Sequence, residues 1–129
     1  MKRKFLLILV TLFVSAGILY LQLGREPIVN CSMILENSDS YDLSLVVTLN
    51  KLVILNRKNI EHTIIQKTLD NDFENIHFSH DVYGMPQKIC VTVYANALTY
   101  MLNVPAFEFQ YIYPYFSKDR GKHIINASL

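Results

Sequence analysis

The side chains best suited to chemistry in this 129-residue chain gather in one stretch, His77-Phe78-Ser79-His80-Asp81, with Asp70, Asp72 and Glu74 just upstream. Imidazoles and carboxylates are the ligands that zinc and copper take. The spacing argues against a shared ion. On a strand, residues three apart point to opposite faces, so His77 and His80 need a bend to converge, and no third ligand is fixed by spacing. The cluster reads as a solvated edge, with His77 and His80 as weak metal candidates. With a reference pKa of about 6.5, the two imidazoles are also groups able to register acidification.

Two thiols are the next reactive groups, Cys31 and Cys90, with no CxxC spacing between them. Outside the cytoplasm two such thiols are most simply a disulfide. Closing a loop of about 60 residues would remove unfolded-chain entropy worth roughly 4 kcal/mol. For hydrolysis the chain offers no GxSxG, HExxH or SxxK pattern. Four glycines in all leave no phosphate-cradling loop. The expectation is a protein that is not an enzyme and has no cofactor.

What positions these groups is decided at the N-terminus. Nineteen uncharged residues, Phe5 to Leu23, follow Lys2-Arg3-Lys4. At about 1.5 Å per residue they reach roughly 28 Å as a helix, close to the hydrocarbon thickness of a bilayer. The cations in front orient such a span with its N-terminus in the cytoplasm. A cleaved signal ending at Val14-Ser15-Ala16 is the competing reading. It would leave Gly17 to Leu23 as an apolar mature terminus with nothing evident to bury it. The expected organisation is a basic start and anchor over 1–24, a domain over 25–116 placed in the periplasm, and a polar tail over 117–129. The expected location is a bacterial inner membrane, crossed once.

Beyond the anchor, the charge is nearly balanced. Twelve Lys and Arg, less the three before Phe5, against eleven Asp and Glu leave a net of −2. No basic face stands out, which disfavours a nucleic-acid partner. The patterning is mainly β. Strands are predicted at Asn30–Glu36, Leu43–Leu49, Leu52–Leu55, Lys88–Ala95, Ala97–Val104 and Ala106–Tyr113, with a weakly alternating one at Glu74–Val82. Ile60–Leu69 reads equally as helix or strand. A small β-rich α+β domain follows, with an antiparallel sheet and a half-closed barrel as one form of it.

The densest feature of that domain is the aromatic stripe Phe107, Phe109, Tyr111 and Tyr113, whose alternation puts all four on one face. The stripe is either core-facing or a contact surface for a partner or an amphipathic ligand.

The basic start, the single span, a cysteine just beyond it and about a hundred β-rich residues resemble the small inner-membrane accessory proteins of enteric bacteria. Leu55-Asn56-Arg57 and Asp70-Asn71-Asp72 are similar to the FidL-like pattern, and the ToxS-type proteins share the architecture. The resemblance implies a periplasmic domain that pairs with that of a ToxR-like membrane-bound regulator, and it transfers no functional residue. The alternatives are a membrane-tethered immunity protein against a periplasmic toxin and a small amphipathic-ligand binder.

Overall fold

The computed structural model describes residues 2–113 and 124–128, the last five and Asn37 by their backbone alone. Among the described residues one helix, α1 (Lys2–Leu23), is long and apolar enough to cross a membrane, and none of its residues is buried against the rest of the chain. By length and composition a signal sequence passes the same test.

After α1 come β1 (Ile28–Asn37), β2 (Ser40–Thr48), α2 (Arg57–Asp70), α3 (His80–Tyr83), β3 (Lys88–Tyr94), α4 (Ala97–Met101), β4 (Phe107–Ile112) and β5 (Ile124–Ser128). The strands lie in chain order in one open sheet, β1-β2-β3-β4-β5. β1–β2, β3–β4 and β4–β5 are antiparallel, but the central pair β2–β3 is parallel. The expected antiparallel, half-closed sheet is therefore corrected to a mixed, open one. The cause is α2: a helix between β2 and β3 supplies the crossover that parallel neighbours need, whereas a strand there would have allowed antiparallel pairing throughout.

Side chains alternate along β2. Tyr41, Leu43, Leu45 and Val47 are buried, and the register sets them beside Ile89, Val91 and Val93 of β3 and Phe109 and Tyr111 of β4. Over this face lies α2, which buries Glu61, Ile64, Ile65 and Thr68. Ile60, Ile64 and Thr68 follow the i, i+4 spacing of a helix face. Asn56 caps the helix by accepting from Asn59 N, and Asn71 ends it in the left-handed conformation at φ 59°. Caps and burial together override the β-branched preference of Thr63, Ile64 and Ile65. Buried Glu61 is neutralised by Arg57 at 2.8 Å, and the Arg57 guanidinium lies 4.6 Å over the Phe107 ring, which pins the start of α2 to β4.

Three other expected strands are not strands. Leu52–Leu55 is an irregular loop, because Asn50 turns left-handed at φ 56° and Gln22 takes the Leu52 and Val53 amides. Glu74–Val82 is loop and α3. Within Ala97–Val104, Asn96 and Thr99 form a reciprocal capping box that starts α4. In the expected polar tail, Ile124–Ser128 pairs with β4 as the fifth strand; residues 117–123 and Leu129 lie outside the described residues.

Candidate functional site

Of the residues singled out from the sequence, the aromatic stripe is the one whose position decides its role. Phe109 and Tyr111 are each 1% exposed in the centre of the core, and Phe107 and Tyr113 pack partly buried against it. The face they share turns toward α2. The contact-surface reading is therefore corrected for Phe109 and Tyr111, which are desolvated in a packed core; Phe107 and Tyr113, half-buried at its margin, keep part of their surface open. Burial also raises the Tyr111 phenol above the ordinary tyrosine range, with a smaller push from Tyr113.

Cys31 and Cys90 are both free, and the expected bridge between them is not made. They share the sheet face away from α2, but β2 runs between them. Cys31 lies opposite Val46 and Cys90 opposite Ser44. Two strand spacings and a two-residue offset put their Cα atoms on the order of 12 Å apart, well past the ~7 Å that a disulfide spans.

His77 is exposed, whereas His80 is engaged: Nε2 lies 2.9 Å from the Thr68 carbonyl, Nδ1 3.4 Å from the Tyr41 hydroxyl, and its ring packs on Phe78. His80 thus ties α3 to α2 and β2. Among the described residues no group of three or more His, Cys, Asp or Glu is placed to hold an ion.

A different surface stands out once the register is known. β1 is an edge strand of ten residues, and among the described residues no strand pairs with its outer side. Met33, Ile34 and Leu35 on it are 56%, 44% and 54% exposed. By register Met33 and Leu35 belong to the face away from α2, and Ile34 to the core side. A long, apolar, unpaired edge presents a row of backbone donors and acceptors that another strand can complete. Natural edges of this kind are usually guarded by lysine, proline or a strong bulge. Here the one bulge falls between Val29 and Cys31, before the apolar run.

Beside that edge opens a pocket of about 140 Å³, lined by Ile34, Tyr41, Ile76, His77, Phe78 and Tyr83. Its wall is built from the sequence upward. The Asn71 carboxamide accepts from Phe78 N and donates to Phe78 O, and Asn75 does the same for Val29 N and O. These side chains satisfy backbone groups that a strand would otherwise serve, and so hold 71–78 against the start of β1. Tyr41 donates to the Gly84 carbonyl at 2.7 Å and meets Tyr83 edge-on. A strand pairing with β1 would find here a socket for one apolar or aromatic side chain, the arrangement that strand addition uses for specificity.

A second depression, of about 420 Å³, lies where α1 leaves the domain. Arg25, Pro27, Leu49, Leu55, Ile60 and Ile64 line part of it. Nearby, Lys67 bonds Glu26 at 3.0 Å, and that carboxylate holds the ammonium above the ordinary lysine range.

The edge was half legible in the sequence. Three consecutive apolar residues, Met33-Ile34-Leu35, break the alternation expected of a strand with one wet face, and that break was the available signal. Comparison of the chain with protein-family models, with curated proteins and with solved structures found no match in any of the three.

Proposed function

We propose that this chain is a membrane-anchored accessory protein, not an enzyme, whose extracytoplasmic domain binds another envelope protein by accepting one of its strands on the edge of β1. The observation that carries the reading is the exposed run Met33-Ile34-Leu35 beside the pocket walled by Phe78 and Tyr83. Retention of α1 as the anchor is supported by Gln22 near its end, which is hydrogen-bonded into the domain. The resemblance to FidL-like and ToxS-type proteins makes the periplasmic domain of a ToxR-like regulator in the bacterial inner membrane the partner to test first. Two domains tethered in one membrane meet at raised effective concentration, so a modest interface suffices. Binding only the folded partner then stabilises it by mass action.

The test is a photo-crosslinking side chain at position 33 or 35 in intact cells, with the adduct identified by mass spectrometry. An adduct with an envelope protein is expected, and Ile34→Lys should abolish it while the domain stays folded, because that side chain already meets water. An adduct unaffected by Ile34→Lys, or no adduct, overturns docking at β1. A partner that is not a regulator retains the docking and rejects the regulator.

A further inference from the structure

The exposed apolar side chains of the domain gather along the β1 edge and α3 and at the end from which α1 departs, which carries two outcrops. The sheet topology places the start of β1, the ends of β2 and β3 and the start of β4 together there. One outcrop is the loop after β2, with Leu52, Val53 and Leu55, the last 81% exposed. The other is α4 and the turn beyond it, with Leu98, Met101 and Leu102, of which Met101 is 82% exposed.

The two outcrops are built as one surface. Leu49 N donates to Tyr94 O, Lys51 N to Ala95 O, and the Asn96 carboxamide to Lys51 O, so both strand ends leave the sheet side by side. The first outcrop is locked to α1 itself. Gln22 Oε1 accepts from the Leu52 and Val53 amides, Gln22 Nε2 donates to Val53 O, and Lys51 Nζ donates to Gln22 O. Those bonds hold the loop level with the last turn of α1, where a spanning helix meets the headgroups.

Charge separates this end from the far one. Residues 95–106 carry no charged side chain, and residues 49–55 carry Lys51 alone. Toward the far end, Leu35 is followed on β1 by Glu36, the β1–β2 turn carries Asp39, and Asp81 precedes Val82 in α3. An apolar rim whose one charge, Lys51, is bonded to Gln22 O enters the boundary between headgroups and acyl chains without a carboxylate of its own; the nearest, Glu26, is paired with Lys67.

We propose that this end of the domain is a membrane seat: the Leu52–Leu55 loop and α4 lie roughly 5–10 Å into the headgroup–acyl boundary of the leaflet that α1 leaves. The inference rests on α1 being the retained span. Seating at two points, together with the Gln22 lock, would hold the sheet at one tilt and keep the Met33–Leu35 run of β1 out in the aqueous phase.

The chain contains no tryptophan, so single-tryptophan variants of the full protein report one site each. Phe13→Trp, Leu55→Trp, Met101→Trp and, at the far end, Val82→Trp are reconstituted in vesicles of phosphatidylethanolamine and phosphatidylglycerol. Matched vesicles carry phospholipid brominated in the acyl chains, mid-chain to probe position 13 and near the glycerol to probe the others. The seat predicts loss of most emission for Phe13→Trp, Leu55→Trp and Met101→Trp, and none for Val82→Trp. If Phe13→Trp is quenched while Leu55→Trp or Met101→Trp stays as bright as Val82→Trp, the span stands and the seat is overturned. A blue-shifted but unquenched tryptophan at 55 or 101 means a protein surface, such as a second copy, covers the site, and overturns it too. Quenching at Val82 equal to that at 55 and 101 overturns the selectivity of the seat. An unquenched Phe13→Trp removes the span, and the seat with it.

Discussion

Gln22, the penultimate residue of α1, pairs with Val53 as a strand would: its Oε1 accepts from the Val53 amide at 3.1 Å and its Nε2 donates to the Val53 carbonyl at 2.7 Å. The same device recurs between Asn75 and Val29 and between Asn71 and Phe78. Gln22→Leu should therefore free the loop while leaving the core intact. Hydrogen exchange at Leu52 and Val53 should quicken, with a global cost of only about 1 kcal/mol, because the loop is exposed to water. Unchanged exchange at both amides would show that the carboxamide does not hold the loop.

Asn71 does two things, adopting a left-handed conformation at φ 59° and clamping Phe78. Asn71→Ala loses both and should cost roughly 2–3 kcal/mol, from strain and from two unserved backbone groups. Asn71→Gly keeps the conformation and should recover about 1 kcal/mol of that loss. Urea midpoints of the two variants measure the split.

Phe109→Ala should cost about 3–5 kcal/mol, a large part of what holds a small domain together. Circular dichroism should show a domain unfolded or close to it. A folded Phe109→Ala protein that merely loses its partner would return the aromatic stripe to the surface.

With β2 between them, the two cysteines should both react with a thiol reagent in the native protein, exposed Cys31 ahead of half-buried Cys90. Cys31→Ser should change stability by under about 0.5 kcal/mol, against the several expected for a lost bridge. Intact mass before and after alkylation decides it, and a mass two hydrogens light would overturn the register.

Tyr41 and Tyr111 are held above the ordinary tyrosine pKa by burial. In the unfolded chain both ionise at about pH 10. Between that pH and the folded pKa the native state binds more protons, so stability falls as pH rises. Their contribution is complete below about pH 10 and is lost as pH passes through the folded values. Tyr41→Phe should flatten part of the alkaline decline in urea midpoint, at the cost of the bond to Gly84 O.

Strand content was legible where side chains alternate. Leu43 to Val47, Ile89 to Val93 and Phe107 to Tyr111 each show a period of two that survives in the sheet, whereas Tyr41 falls in a stretch whose Asn, Ser and Asp residues read as a turn. Which face packs was not legible for the aromatic stripe, because periodicity says which residues share a side and nothing about what lies over it. Ile60–Leu69 was ambiguous since Thr63, Ile64 and Ile65 favour strands, and only burial against the sheet and the caps at Asn56 and Asn71 decide for helix. The loop at Leu52–Leu55 was misread for a non-local reason: its backbone partners belong to Gln22, thirty residues earlier. From that helix followed the parallel central pair, and from the strand order the failure of the Cys31–Cys90 bridge.

The parallel pairing of β2 with β3 also bears on how the domain is made. β1 and β2 form a local hairpin that closes quickly, but the inner side of β2 stays bare until the chain has passed through α2 and α3 and returned. Joining distant segments is slow relative to hairpin closure. During that delay the row from Leu43 to Val47 is uncovered, and the bare side of β2 is open to pairing with the same strand of another copy.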